Sequence, residues 1–152
     1  MRCYGGEAGG FLSLSGVPLS TGRSYTVKVG AGGAAPRALA GETAAGLPGG
    51  ESAFDCCSVP GGRGGVYGSS LTSFGTPVSV CGCTLEMGSV GMMGKGGSSL
   101  LGSGGTNVTS GNGKDGTLGS GGGAGSPGKS TVPAFGGRGG DGVVIVYGLR
   151  PL

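Results

Sequence analysis

Gly96-Gly97-Ser98-Ser99-Leu100-Leu101-Gly102-Ser103-Gly104-Gly105 offers nothing that an ordinary hydrophobic core could use. Two leucines stand between glycine pairs, and the remaining residues are small. The same texture runs through most of the chain, in Gly5-Gly6, Gly9-Gly10, Gly32-Gly33, Gly49-Gly50, Gly61-Gly62, Gly64-Gly65, Gly121-Gly122-Gly123, Gly136-Gly137 and Gly139-Gly140. Glycine has no side chain to bury and loses the most backbone freedom on ordering. With 43 glycines in 152 residues, two outcomes remain. The chain is disordered, or its backbones pack so closely that only glycine fits. The second outcome calls for extended helices of the polyproline-II type, with three residues per turn and no internal hydrogen bonds.

Composition favours order. Disordered chains are poor in aliphatic residues and rich in net charge. Here 36% of residues are hydrophobic, 11% are charged and the net charge is +3. The glycines keep no strict every-third register and prolines number only 8, which sets collagen aside. The ten basic residues are dispersed, with no run and no basic helix, so nucleic acid is not an expected partner. No stretch approaches the ~20 apolar residues of a membrane span, so no membrane insertion is expected. The opening Met1-Arg2-Cys3-Tyr4-Gly5-Gly6 has no apolar signal-peptide core, so export is expected by lysis, by a dedicated route or within a larger secreted chain. A single glycine-rich domain over 1–152 is expected.

Ordered landmarks flank the glycine tract. Tyr25-Thr26-Val27-Lys28-Val29 alternates apolar and polar, the pattern of a half-buried strand at about 25–29. Ala38 to Ala45 could make one helical turn, although Pro36, Gly41 and Pro48 limit it. Glu51 to Val59 reads as a short extended segment ended by Pro60-Gly61-Gly62. Gly142-Val143-Val144-Ile145-Val146-Tyr147 closes with continuous β-branched sequence, the pattern of a strand at about 143–147 covered on both faces and paired with 25–29. The glycine-rich body lies between, at about 30–142. No longer segment keeps helical periodicity without Gly or Pro, so helix content near zero is expected.

Chemical motifs carry little weight. Gly123-Ala124-Gly125-Ser126-Pro127-Gly128-Lys129-Ser130 fits a phosphate-binding loop only formally, because no buried strand precedes it and Pro133 blocks a following helix. Gly111-Asn112-Gly113-Lys114-Asp115-Gly116 resembles a calcium-binding repeat but occurs once, and such sites need stacked turns. Histidine is absent, which removes Ser-His and Cys-His catalysis. No catalytic residue, cofactor or metal site is expected, and the chain does not read as an enzyme. The five cysteines, Cys3, Cys56, Cys57, Cys81 and Cys83, leave three roles open: small apolar filler beside glycine, disulfides, or a metal site with poorly matched spacing.

Three landmarks, taken in order, carry a family resemblance. Tyr25-Thr26-Val27-Lys28-Val29-Gly30-Ala31-Gly32-Gly33, then Gly49-Gly50-Glu51-Ser52-Ala53-Phe54, then Gly136-Gly137-Arg138-Gly139-Gly140-Asp141-Gly142-Val143-Val144-Ile145-Val146-Tyr147 resemble the glycine-rich domains of bacteriophage tail fibres and tail-tip adhesins. The likeness spans roughly 20–147, with the middle matched in composition only. Ser-Ala-Phe stands where the pattern has Ser-Ser-Phe, Cys56-Cys57 follows it, and the glycine runs are shorter. The resemblance implies a sandwich of parallel and antiparallel polyglycine-II helices with a few short strands, mostly irregular and β in class with almost no α-helix. It further implies variable loops that bind an outer-membrane protein or surface polysaccharide of a bacterial host, and a place on the virion, in its tail or another surface appendage. The expected partners are that bacterial surface and other tail-fibre subunits or copies of the chain itself.

Candidate receptor-binding residues are the large side chains with no conventional core to enter, namely Tyr67, Phe74, Leu85, Met92, Met93, Leu100 and Leu101, together with Arg63. Tyr and Arg are favoured at binding hot spots. The same apolar residues could instead cover the sides of the sandwich. Competing readings are a self-assembling filament or appendage protein without a receptor, an ice-binding protein, and a disordered extracellular chain.

Overall fold

The computed structural model describes residues 5–38, 44–65, 79–80, 83–84, 89, 91, 94–125 and 134–147. Among them there is no helix. Seven short strands are present: β1 (Val27–Lys28), β2 (Arg37–Ala38), β3 (Ser52–Phe54), β4 (Cys57–Val59), β5 (Ser79–Val80), β6 (Cys83–Thr84) and β7 (Ala134–Phe135). They form an antiparallel three-stranded sheet in the order β1-β3-β4 and two antiparallel pairs, β2-β7 and β5-β6. Everything else is irregular backbone, and the described part of the chain is held mainly by that backbone.

The sheet grows from the 51–59 segment. Phe54 pairs with Cys57, leaving Asp55 and Cys56 as a two-residue turn. Asp55 sits at φ 52, a left-handed conformation that Asp tolerates better than most residues. Its N–H donates to the Thr26 carbonyl at 2.7 Å, and its carboxylate takes Arg23 at 2.9 Å. The Arg23 guanidinium lies 5.0 Å from the Tyr25 ring centre, and Tyr25 stacks on Phe54 with centroids 5.9 Å apart. Lys28 bonds Glu51 at 2.8 Å. These contacts fix β1 on β3, with Val27 opposite Phe54.

The expected partnership of 25–29 with 143–147 does not form. Segment 143–147 is not a strand, and β1 takes β3 instead. Nor is the β1 face half-buried, since Val27 and Val29 are exposed. The reason is steric. Residues 136–142 lie against 30–36 at a separation only glycine permits, so a Cβ built on Gly32 would meet the Gly139 carbonyl carbon and oxygen. Beyond Gly142 the β-branched side chains cannot continue at that spacing. Ala38 belongs to β2, and no helical turn includes it; residues 39–43 lie outside the described residues.

The core contains almost no side chains. The buried hydrophobic residues are Ala8 and Ala134, and no large side chain is fully buried among the described residues. What is buried is glycine: Gly96, Gly97, Gly104, Gly105 and Gly121 to Gly123. Their backbone groups bond across the chain with a repeat of three residues. Gly6 and Gly9 donate to Gly122 and Gly119, Glu7 and Gly10 to Arg63 and Pro60, and Ala8 to Ser89. Successive residues of the 6–10 run thus face three different neighbours in rotation. Gly136, Gly139 and Gly142 donate to Pro36, Gly33 and Gly30. Gly113 and Gly116 donate to Phe135 and Arg138 with the two segments running parallel.

The 119–125 run is the hub. The carbonyls of Gly121, Gly122 and Gly123 accept from Gly105, Gly6 and Gly137, three separate segments. The N–H groups of Gly121, Gly123 and Ala124 donate to Gly97, Lys114 and Gly94. A buried backbone that cannot reach water needs such partners, because each unmade bond costs about 1–3 kcal/mol.

Polar side chains finish the ends of runs. Asn112 Oδ1 accepts from the Phe135 N–H and Asp115 Oδ1 from the Arg138 N–H, again three residues apart on both segments. Asp141 Oδ1 accepts from the Gly32 N–H at 2.7 Å. Asp115→Ala is expected to cost about 1 kcal/mol, the worth of one such bond, and to lower Tm by roughly 3 °C. A thermal melt checks this, and an unchanged Tm would show that the carboxylate is dispensable there.

Candidate functional site

Hydrogen-bond register sorts the runs into two ends. At one end Gly46 meets Gly65, Ala124 meets Gly94, Val108 meets Ala124, Gly113 meets Phe135 and Gly136 meets Pro36. At the other end Gly10 meets Pro60, Gly9 meets Gly119, Gly140 meets Ser120, Thr117 meets Ser103 and Gly142 meets Gly30. The connections that span 37–45, 107–112 and 126–133 therefore leave and rejoin the body near the first end, and 66–88 leaves it there after Gly65 but rejoins at Ser89, which bonds Ser98 and Ala8 toward the second end. The second end carries the β1-β3-β4 sheet, the turns at 99–102 and 117–120, and the segment 143–147.

The first end is the candidate binding surface. Of its connections, 107–112 is fully described. Thr106, Asn107, Thr109, Ser110 and Asn112 are exposed there, with Lys95 exposed nearby. Gly111 turns the loop at φ 99 with open space around it. Hydroxyl, amide and ammonium groups on one rim suit hydrogen bonding to polar surface chemistry. The loop carries no aromatic residue and no Leu, Ile or Met, so residue type alone does not mark it as a candidate. Its signal lies in the spacing of Asn112 and Asp115, which is intelligible only once the partner run 135–138 is known.

Of the expected receptor-binding residues, Arg63, Leu100 and Leu101 are described. Tyr67, Phe74, Leu85, Met92 and Met93 lie outside the described residues. By chain position the first three belong to the connection that follows Gly65, and the two methionines precede Gly94. Leu100 and Leu101 are exposed at the opposite end, in a turn closed by Ser99 N–H donating to the Gly102 carbonyl. Ser99 Oγ ties that turn to the Leu118 carbonyl at 2.7 Å, so a third exposed leucine stands beside them.

Arg63 lies along the body between the two ends. Its Nε and Nη2 donate to Oε2 and Oε1 of Glu7 at 2.7 and 3.3 Å. The Glu7 side chain is 3% exposed, whereas that of Arg63 is 47% exposed. This hydrogen bond, with the charge of Glu7 behind it, raises the guanidinium pKa above its ordinary value. Arg63 thus neutralises a buried carboxylate.

The discounted motifs find structural uses where they are described. Gly123 and Ala124 N–H groups, which a phosphate loop would turn toward its ligand, are spent on Lys114 and Gly94. Asn112 and Asp115 accept backbone N–H groups, as above. Cys57 is disulfide-bonded, which decides for a covalent role at that position; Cys56 is exposed in the turn beside it, the two sulfurs 3.9 Å apart. Cys3 and Cys81 lie outside the described residues. Among the described residues no group of His, Cys, Asp and Glu is placed to hold a metal, and no helix is long and apolar enough to cross a membrane.

No curated protein shows significant similarity to the chain. A family of glycine-rich domains, however, matches residues 2–84, which include the first two sequence landmarks, the β1-β3-β4 sheet and six of the Gly-Gly pairs. With more than half of its length matched, the chain belongs to the glycine-rich domain family.

Proposed function

We propose that this chain is a host-recognition module of a bacteriophage tail fibre or tail-tip adhesin, in which a polyglycine-II sandwich carries receptor-binding loops at one end. Support for the sandwich is the three-residue repeat of hydrogen bonds to neighbours in rotation, which matches a helix with three residues per turn. A run of six residues at about 3.1 Å each would make a body roughly 19 Å long. The tight glycine contacts, with carbonyls where a Cβ would stand, support the same reading. Slow amide exchange at Gly121 to Gly123 is expected from it. Exchange at free-peptide rates in that run would refute it.

The observation that carries the recognition role is the gathering of three connections, 37–45, 107–112 and 126–133, and the start of a fourth after Gly65, at one end of a backbone-held body. Loops on a rigid scaffold can vary without disturbing it. The order of landmarks, which resembles that of phage tail proteins, supports a protein or polysaccharide of the bacterial surface as the partner class. Labelled chain incubated with a panel of bacterial strains should bind saturably to a subset of them. Exchange of residues 66–78 for a Gly/Ser segment of equal length should abolish that binding and leave Tm unchanged. Binding to no strain, or binding indifferent to the exchange, would overturn the reading. The second reading, a self-assembling appendage protein, draws on the exposed segment 143–147.

A further inference from the structure

Bases that are dispersed in sequence are sorted by the fold. Among the described residues, four are paired with acids: Arg23 with Asp55, Lys28 with Glu51, Arg63 with Glu7 and Arg138 with Asp141. The other three, Arg37, Lys95 and Lys114, are exposed, and their side chains make no ion pair or hydrogen bond among the described residues. All three stand at the first end, on neighbouring runs. Arg37 is directly opposite Phe135 in the β2-β7 pair, so the two side chains share a face. Phe135 is 41% exposed. Its carbonyl accepts from the Gly113 N–H, and the next residue, Lys114, donates its N–H to the Thr106 carbonyl. Asn107 stands against Gly94, the residue before Lys95. At about 5 Å between hydrogen-bonded neighbours, the row from Arg37 through Lys114 to Lys95 extends over roughly 15–20 Å. Asp115 follows Lys114, and its Oδ1 accepts the Arg138 N–H.

We infer that this row binds an acidic polysaccharide, a polymer with a carboxylate or phosphate on its repeating unit. This narrows the partner class of the recognition reading and rests on that reading for the bacterial source of the polymer. Spacing selects a polymer over a small anion. Cations spread over several runs engage successive anionic units of one chain, and weak contacts on one chain reinforce each other through effective concentration. The groups between the cations suit a sugar. Thr106, Asn107, Thr109 and Ser110 present exposed hydroxyl and amide groups. Asn112 spends its Oδ1 on the Phe135 N–H and keeps its NH2 group for a ligand. The exposed Phe135 ring offers an apolar face to the C–H side of a sugar ring. Single-stranded nucleic acid is the competing polyanion, but it draws on several stacking aromatics, and the row has one.

Biolayer interferometry of the full chain on immobilised polygalacturonate, wall teichoic acid and neutral dextran tests it. At least one of the two acidic polymers should be bound, which tells carboxylate from phosphate, and dextran should not. Raising salt from about 0.05 to about 0.3 M should weaken binding at least tenfold, because exposed charges are screened. Lys95→Gln with Lys114→Gln should weaken it at least tenfold at unchanged Tm, and Arg37→Gln or Phe135→Ala about threefold each. Arg23→Gln with Lys28→Gln removes the same charge at the far end and should change binding less than twofold. Equal losses in the two double variants would overturn the inference, since net charge and not the row would then hold the polymer. So would failure to bind either acidic polymer, or tighter binding to single-stranded DNA. Cells separate this from the recognition reading. On a strain that the chain adsorbs to, displacement by the bound polymer supports the inference. Adsorption that the polymer leaves untouched and protease treatment of the cells abolishes makes the receptor a protein, so the inference falls and the recognition reading stands. Polymer binding by a chain that adsorbs to no strain removes the recognition reading and leaves the chemistry of the row intact.

Discussion

Gly122→Ala is expected to destabilise the body strongly, whereas Gly49→Ala is expected to leave it intact or slightly firmer. A methyl on Gly122 would be driven into the carbonyls of Gly137 and Arg138, with the nearest atom closer than the 3.0 Å that real side chains respect. Both obstacles are backbone, so no rotamer change relieves them. The 136–140 run must move away instead. That movement breaks Gly137 N–H to Gly123 and Gly140 N–H to Ser120, and it strains the bond from Gly139 to Gly33 on the far side. Two lost bonds at about 1 kcal/mol each, with overpacking of about 1–3 kcal/mol, give a cost of roughly 3–5 kcal/mol. That is a large share of the stability of an ordinary domain and corresponds to a fall in Tm on the order of 10 °C.

Gly49 makes the opposite case. Its nearest neighbour to a new methyl is the Ala31 oxygen at 3.5 Å, an ordinary contact, and its φ is not in the left-handed region. Its N–H bond to Gly62 is untouched. Alanine there restricts the unfolded chain and should add about 0.4–1 kcal/mol. Thermal melts of the two variants decide the matter. Equal losses at both positions would mean that glycine serves chain flexibility, and similar tolerance at both would remove close backbone approach as the organising force.

Much of this was legible in the sequence. Clumped glycine with low charge pointed to order without a side-chain core, and the core is indeed backbone around Gly121 to Gly123. The absence of helix followed from the interrupted periodicity and holds among the described residues. The segment 51–59 read as extended and is the β3-β4 hairpin. Pairing was not legible, because glycine carries no side chain to mark a partner. Val143 to Tyr147 looked like a buried strand since β-branched runs usually are, yet its neighbours in sequence are held at a distance its own side chains cannot match. Chemical type alone marks single residues of the candidate site and not their placement. That placement depends on which runs are antiparallel, and that information lies in hydrogen-bond register across 100 residues and more, as between Gly32 and Asp141. The role of Arg63 was hidden for the same reason, since Glu7 is 56 residues away.

Arg63→Met is expected to destabilise the fold by about 2–3 kcal/mol, while Glu7→Met combined with Arg63→Met recovers most of that loss. The Glu7 carboxylate is buried and draws on the Arg63 Nε, Nη2 and, more distantly, main-chain N–H. Removing one partner of a buried pair costs roughly 3–5 kcal/mol because the other charge is stranded. Arg63 is half exposed, so water replaces part of what is lost and the lower figure applies. Replacing both with apolar side chains of similar volume removes the stranded charge, and such exchanges are often near neutral. The guanidinium contributes its stability below its ordinary pKa and loses it only as pH rises through the raised folded value, so between pH 5 and 9 its own titration contributes no slope. A double-mutant cycle on Tm and denaturant midpoint separates the readings. If Arg63→Met leaves Tm unchanged and abolishes adsorption to cells, Arg63 is a receptor contact. If Tm falls and the double variant restores it, the arginine serves to keep an acid inside a body that otherwise holds almost nothing but main chain.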